Sequence, residues 1–437
     1  MSTLNFFKNK RPMSQRKKGL LAFILIISIL FITLSLSFFF FGLQLSKDDS
    51  QIPSKPNIAT VYISCEHTIN KDNPVECTFA LISSVSSQDI KPLKSNITIR
   101  GETSATYPKK GYRLEFSKKK ALLGMRNDDD WQLFAMYDDI TRMRLKLSFE
   151  LWRSLLQINP IVILPKSEYV NLYLNGEYQG LYLLAENNDR KLFGFDEAPE
   201  DPLLHNKSSL IFQAKYSSNF KKYEKEKWEQ DYPNEDEGYF IMDEIMTNLT
   251  TFVNESTPDL EFFNLETGIY SRFNKINLID FFLFNFFILH NDFWDKNYFI
   301  LRNSTVIYPN NFSLLPWDFD GCFGQFRWTI YSASEDPESE IRERNYLYDR
   351  LLGNNTFRED CKKRWFYIRE KLWSVDFILD ILSHIYEDIE NILEIETTMW
   401  EPEGAEKNSD VEDYIDSLFQ WIPERLEFCD SYFLAFD

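Results

Sequence analysis

Residues 290–324 read HNDFWDKNYFILRNSTVIYPNNFSLLPWDFDGCFG. Two acid-bearing segments frame a stretch rich in β-formers: His290-Asn291-Asp292, with Asn297 five positions after Asp292, and Trp317-Asp318-Phe319-Asp320-Gly321. That is the pattern of a hairpin whose two arms bring the segments together. A phosphoryl transfer asks for a carboxylate near the incoming hydroxyl and two oxygen ligands on a hard cation, with little covalent help beyond that. Asp292, Asn297 and Asp318 supply these three groups.

The composition narrows the field around that window. The chain has 437 residues, with 67 Asp plus Glu against 48 Lys plus Arg and a formal net charge of -19. With 44% hydrophobic residues it is not a disordered chain, and its acidity argues against a nucleic-acid partner. Aromatics make up 16%, led by 39 Phe, which is ample material for a large core. The four His and five Cys form neither a C-x-x-C pair nor a His-x-x-x-His pair, so any metal is expected on oxygen ligands.

Leu20 to Gly42 is an uncharged run preceded by Lys8, Lys10, Arg11, Arg16, Lys17 and Lys18. As a helix it would be about 35 Å long, enough to cross a bilayer. The basic flank predicts a single-pass, type II membrane protein: a cytosolic tail at 1–19, a transmembrane helix at 20–43, a stalk at 44–58 and a lumenal or extracellular domain at 59–437. A cleaved signal peptide is the competing reading, disfavoured by the length of the run. Seven acceptor sequons, at Asn96, Asn206, Asn248, Asn254, Asn303, Asn311 and Asn354, suit a glycosylating secretory route. There a hairpin disulfide between Cys65 and Cys77 is the natural expectation, and Cys361 with Cys429 forms a second candidate pair.

Within 59–437 the first part, to about residue 186, is β-rich. Thr60–Ser64, Thr78–Ser83, Ile97–Arg100, Gly111–Phe116 and Tyr169–Leu174 read as strands, and Asn175-Gly176 as the turn to Tyr178–Leu184. One helix, Thr141–Leu156, interrupts them. From about 187 the chain is mostly helical, at Leu278–Leu289, Lys362–Trp373, Asp376–Ile395 and Asp410–Phe428, while Lys215–Glu237 reads as a charged surface loop. The expected class is α+β, with a β-rich front lobe and a helical back lobe.

The window resembles the H-R-D-x-x-x-x-N and D-F-G segments of protein kinases. More specifically, the chain resembles the CotH spore-coat kinase family, an atypical branch of the protein-kinase-like fold. Arg100-Gly101-Glu102-Thr103-Ser104 and Tyr107-Pro108-Lys109-Lys110-Gly111-Tyr112 are similar to that family's R-G-x-(S/T)-(S/T) and P-K-K-x-(Y/F) strands. Asp130-Trp131-Gln132-Leu133, Asp139 and Arg144 resemble its D-W-x-L, D and R positions. Leu174 through Glu186 resembles its N-G-x-x-x-G-x-Y-x-x-x-E hairpin, and the window itself its N-x-D-x-x-x-x-N and P-W-D-x-D-x-x-(F/W)-G. The resemblance implies a two-lobed, kinase-like fold and transfer of the γ-phosphoryl of ATP, with Mg2+ or Mn2+, to Ser or Thr of a secreted or surface protein, and the chain's acidity is compatible with a basic, Ser-rich target. It casts Asp292 and Asp318 as catalytic, Asn297, Asp318 and Asp320 as metal ligands, and Arg100, Lys109, Lys110 and Glu186 as the nucleotide side. No Gly-rich phosphate loop precedes the lysines, and Glu150 is a candidate partner acid for them.

Two rival classes share the features. A Golgi glycosyltransferase also uses an Asp-x-Asp motif, for which Asp318 and Asp320 qualify, and an inactive adhesin would keep the fold alone. Ordinary readings compete residue by residue. Taken alone, Asp292 is a turn acid and Lys109 and Lys110 are solvated charges. His290, Trp131 and Trp317 read as packing residues, and Arg144 with Asp139 reads equally well as a structural salt bridge.

Overall fold

The computed structural model describes residues 58–160, 163–254, 256–326, 329–401 and 411–436. Seven strands, β1 (Ala59–Cys65), β2 (Val75–Ile82), β3 (Ile90–Arg100), β4 (Gly111–Ala121), β5 (Asn127–Phe134), β6 (Ser167–Leu174) and β7 (Glu177–Glu186), form a closed barrel in the order β1-β2-β3-β4-β5-β7-β6. Alternation along each strand fills the interior with Val61, Ile63, Phe79, Leu81, Leu114, Trp131, Leu133, Leu172 and Leu184. Asn175 and Gly176 both have positive φ, 52° and 84°, as the two-residue turn between β6 and β7 requires, and Asn175 Oδ1 accepts the Cys65 amide at 2.7 Å. Closure comes from β1 pairing in parallel with β6, Val61 against Leu172.

A second, four-stranded sheet follows in the order β11-β10-β8-β9, with β8 at Leu210–Ala214, β9 at Trp228–Tyr232, β10 at Tyr298–Arg302 and β11 at Ser313–Pro316. Gln325–Phe326 and Thr329–Ile330 pair as a short ribbon. The main helices are α1 (Arg144–Ser154), α2 (Met242–Val253), α3 (Lys275–Phe287), α4 (Glu338–Arg344), α5 (Tyr346–Leu352), α6 (Asn355–Lys371), α7 (Val375–Met399) and α8 (Val411–Leu434). Helix α3 is apolar on nearly every side and lies at the centre of the larger core, as such helices must. Asn277 on α3 closes the β11 edge, its amide donating to Leu314 O at 3.0 Å and accepting Leu314 N at 2.6 Å. At the other end, buried Arg425 of α8 donates to Phe286 O at 2.6 Å and Phe287 O at 3.1 Å, satisfying carbonyls that the end of α3 leaves open.

Several expectations are corrected. The fold of the described residues is a closed seven-stranded barrel with a separate four-stranded sheet and helices, not the expected two-lobed kinase-like arrangement. Closure depends on a parallel pairing between strands over a hundred residues apart, which alternation within each strand does not encode. Residues 20–43, expected to span a bilayer, lie outside the described residues, and among the described residues no helix is long and apolar enough to cross a membrane. The expected single-pass type II membrane protein thus finds no spanning helix among the described residues. The stretch Lys215–Glu237 contains β9, anchored by the buried Trp228 amid charged neighbours. The five cysteines are buried free thiols; Cys65 and Cys77 face one another across β1 and β2 without the expected bridge.

Candidate active site

Strands β10 and β11 form the expected antiparallel ribbon, Tyr298 opposite Pro316, so both acid-bearing segments emerge at the same end. Backbone contacts then join them: Trp317 N donates to Asn297 O at 2.8 Å and Asn291 N to Gly321 O at 2.8 Å. His290 is buried between the rings of Phe293 and Phe319, with centroids at 4.1 and 5.1 Å. Its Nδ1 lies 2.9 Å from Asn285 Oδ1 and its Nε2 2.8 Å from Asp318 O. Burial pushes the imidazole down to about 3, so the neutral ring has one proton for these two oxygens. His290 thus ties the end of α3 to the backbone of Asp318.

The segment is held in uncommon backbone conformations. Leu289, Asp292, Trp294, Asn297 and Asp318 have φ of 47°, 55°, 49°, 61° and 65°. Asp and Asn tolerate this region; Leu and Trp do so at a cost of about 1–3 kcal/mol each, a pattern that concentrates at functional sites.

Asp292 is half-buried and pairs with Lys296 at 2.7 Å. Asn297 donates from Nδ2 to Asp292 O at 2.9 Å. Asp318 is reached by solvent while protein lies close around it. That surrounding protein raises its carboxyl above the usual range; the Arg100 guanidinium opposes the rise and the Asp292 carboxylate adds to it. Asp320 is raised further, by burial first and then by Asp318, Asp138 and Asp139. Arg100 stacks 4.0 Å over the Phe134 ring; burial lowers it to about 10, with Asp318 and Asp320 acting in its favour.

Carboxylates near one guanidinium form a donor set of hard oxygens suited to Mg2+ or Mn2+. Among the described residues, Asp318 and Asp320 do not form, with a third acid, a group at mutual chelating distance. Mg2+ ordinarily takes only one or two protein carboxylates and completes its shell with water and phosphate oxygens, so the fit is to a nucleotide-borne cation. Among the described residues, acid oxygens do approach within 4.8 Å of one another at Asp128, Asp130 and Asp189. There Arg126 meets Asp128 at 2.7 Å and Asp189 at 3.0 Å, and Lys191 meets Asp128 at 2.8 Å, so two cations already pair with these acids.

The other expected nucleotide residues lie apart from this cluster. Lys109 is fully buried, with Nζ 2.5 Å from Glu396 Oε1 of α7 and also donating to Leu181 O. Burial lowers it to about 7, with Glu396 pulling the other way. Lys110 donates to Ala105 O at 2.9 Å. Glu186 accepts the backbone amides of Arg126 and Lys166 at 2.8 and 3.0 Å, tying two loops at the end of β7. Glu150, the candidate partner for the lysines, pairs instead with Lys146 and Arg153 at 3.4 and 3.3 Å.

Asp139 and Arg144 form a buried ion pair at 2.6 Å, and Arg144 Nε donates to Cys322 O at 3.1 Å, joining the 136–144 segment to the loop after Asp320. Trp131 fills the barrel; Trp317 packs on Phe134, Phe149 and Phe299. Sequence reasoning missed Asp138, whose Oδ2 accepts the Tyr107 hydroxyl at 2.6 Å and whose charge acts on Asp318 and Asp320. Its only signal was adjacency to Asp139. It missed Glu396 and Arg142 altogether, since nothing local marks a partner 287 positions from Lys109.

Comparison with known proteins agrees with the motifs. A family model described as CotH kinase protein matches residues 97–429. The inner spore coat protein H of Bacillus subtilis (strain 168) is 23% identical over 308 residues, which cover 68% of this chain and 77% of that protein. That relative is named for a spore coat, whereas the sequence led to the expectation of a single-pass membrane localisation.

Proposed function

Because the chain belongs to the CotH family, we propose that it is an atypical protein kinase that transfers the γ-phosphoryl of ATP to Ser or Thr hydroxyls of a protein. The observation that carries this reading is the meeting of Asp292, Asn297, Asp318 and Asp320 at one end of the ribbon, with Arg100 of β3 acting on Asp318 and Asp320 and with Asp292, Asn297 and Asp318 on left-handed backbone. Asp292 orients the acceptor hydroxyl and takes up its proton. Asp318, the Asn297 amide oxygen and Asp320 would hold Mg2+ or Mn2+, which when bound offsets the charge on the phosphate oxygens. Arg100 and Lys296, and not the internally paired Lys109, supply the protein's positive charge next to those acids. His290 fixes the carbonyl of Asp318 and so the direction of its carboxylate. The net charge of -19 favours a basic, Ser-rich acceptor, and the relative's name points to a protein of a coat.

The test is incubation of the full chain with γ-labelled ATP, Mg2+ or Mn2+ and a basic Ser-rich acceptor. Label on acceptor Ser or Thr is expected, and its absence where a control kinase succeeds would refute the proposal. Stabilisation by UDP-sugars but not by ATP would favour the Asp-x-Asp sugar-transfer chemistry instead.

A further inference from the structure

The C-terminal end of α7 is built into the wall of the barrel. The β6–β7 pairing passes from Leu172 opposite Gly180 to Tyr173 opposite Tyr178, so Gln179 is an extra residue in β7. The bulge frees two backbone groups. Leu181 N donates to Glu396 Oε2 at 2.7 Å, and Gln179 O accepts Trp400 Nε1 at 2.8 Å. Gly180, with φ 92°, leaves the room this needs: a Cβ there would lie 2.2 Å from Glu396 Oε2.

The other oxygen of Glu396 faces two cations, Lys109 Nζ at 2.5 Å and Arg142 Nε at 3.0 Å, all three side chains being fully buried. Arg142 carries the connection onward. Its NH1 donates to Met136 O, Tyr137 O and Asp139 O at 2.8, 3.0 and 2.6 Å, and its NH2 to Trp400 O at 3.0 Å. Those carbonyls bracket Asp138, whose charge acts on Asp318 and Asp320. Asp139 then binds Arg144, and Arg144 reaches Cys322 O.

We propose that Glu396 is a positioning residue for phosphoryl transfer, holding the 136–139 segment through Arg142 and, through the Asp139–Arg144–Cys322 contacts, the loop that carries Asp318 and Asp320. This rests on the kinase reading above. Being buried, Glu396 does not touch the nucleotide; it orders groups that face it. The arrangement makes docking of the α7 terminus a condition for an ordered acid loop.

The experiment compares the full chain with Glu396→Gln and Trp400→Phe. The first leaves two buried cations against a neutral amide; the second deletes only the donation to Gln179 O and serves if the first does not fold. Amide exchange is followed by mass spectrometry alongside kcat and the KM for ATP. Exchange in 136–144 and 318–323 is expected to rise roughly tenfold, with β2 and β3 unchanged. The kcat of Glu396→Gln is expected to fall roughly tenfold with KM within about twofold. Wild-type protection at 318–323 in a folded Glu396→Gln, or in Trp400→Phe if the former does not fold, overturns the proposal, as does an unchanged kcat. If the wild type itself transfers no phosphate, the kinase reading fails while the exchange data still decide whether the α7 terminus orders the loop.

Discussion

Replacing His290 with Leu tests how the acid loop is held. The ring is buried, lies within hydrogen-bond distance of Asn285 Oδ1 and Asp318 O, and is sandwiched by Phe293 and Phe319. Leucine fills much of the space but donates nothing, so a buried carbonyl loses its partner at a cost of about 1–3 kcal/mol. Losing the ring stacking adds about 0.5–1.5 kcal/mol. The sum is a destabilisation of about 2–4 kcal/mol, read as a lower urea midpoint at unchanged slope. Because Asp318 sits at φ 65° with its carbonyl held by this ring, its carboxylate shifts as well, and transfer activity falls by about 10²-fold. The pH dependence has a definite sign. The folded ring has its pKa depressed to about 3, whereas the unfolded one protonates near 6.5. Its contribution is therefore complete above 6.5 and is lost as pH falls from 6.5 towards 3, and His290→Leu flattens that limb. A variant within about 1 kcal/mol of wild type, equally active and equally acid-sensitive, would refute the reasoning.

Three further substitutions have expected outcomes. Gly180→Ala places a Cβ 2.2 Å from Glu396 Oε2 at a φ of 92°, and thermal unfolding should show a loss of about 2–4 kcal/mol. Asp139→Asn leaves buried Arg144 without its counter-charge and should cost about 3–5 kcal/mol by urea titration, whereas an exposed pair would cost under about 1. Arg100→Gln removes the cation beside Asp318 and Asp320, and steady-state kinetics should show the KM for ATP raised roughly tenfold with little change in stability.

What could be read in the sequence was local. The Asn175-Gly176 turn, the apolar α3 and the ribbon framed by Asp292 and Asp318 each depend on neighbours within a few residues. Trp228 was hidden because β9 is short and its neighbours Glu229 and Asp231 are exposed acids, so the alternation looked like a charged loop. Barrel closure was illegible for a different reason: Val61 and Leu172 each satisfy a strand pattern, but nothing in either strand specifies the other. Lys109 shows the same limit at the site. Its setting in a strand motif suggested phosphate, while its actual partner, Glu396, is fixed only by the bulge at Gln179 and the docking of α7.

The most direct test of the central claim compares wild type with Asp318→Ala for transfer of labelled γ-phosphate to a Ser-rich acceptor at saturating Mg2+. The account predicts robust transfer by the wild type and nearly none by a variant that remains folded. Equal transfer by both, or none by either, would contradict it.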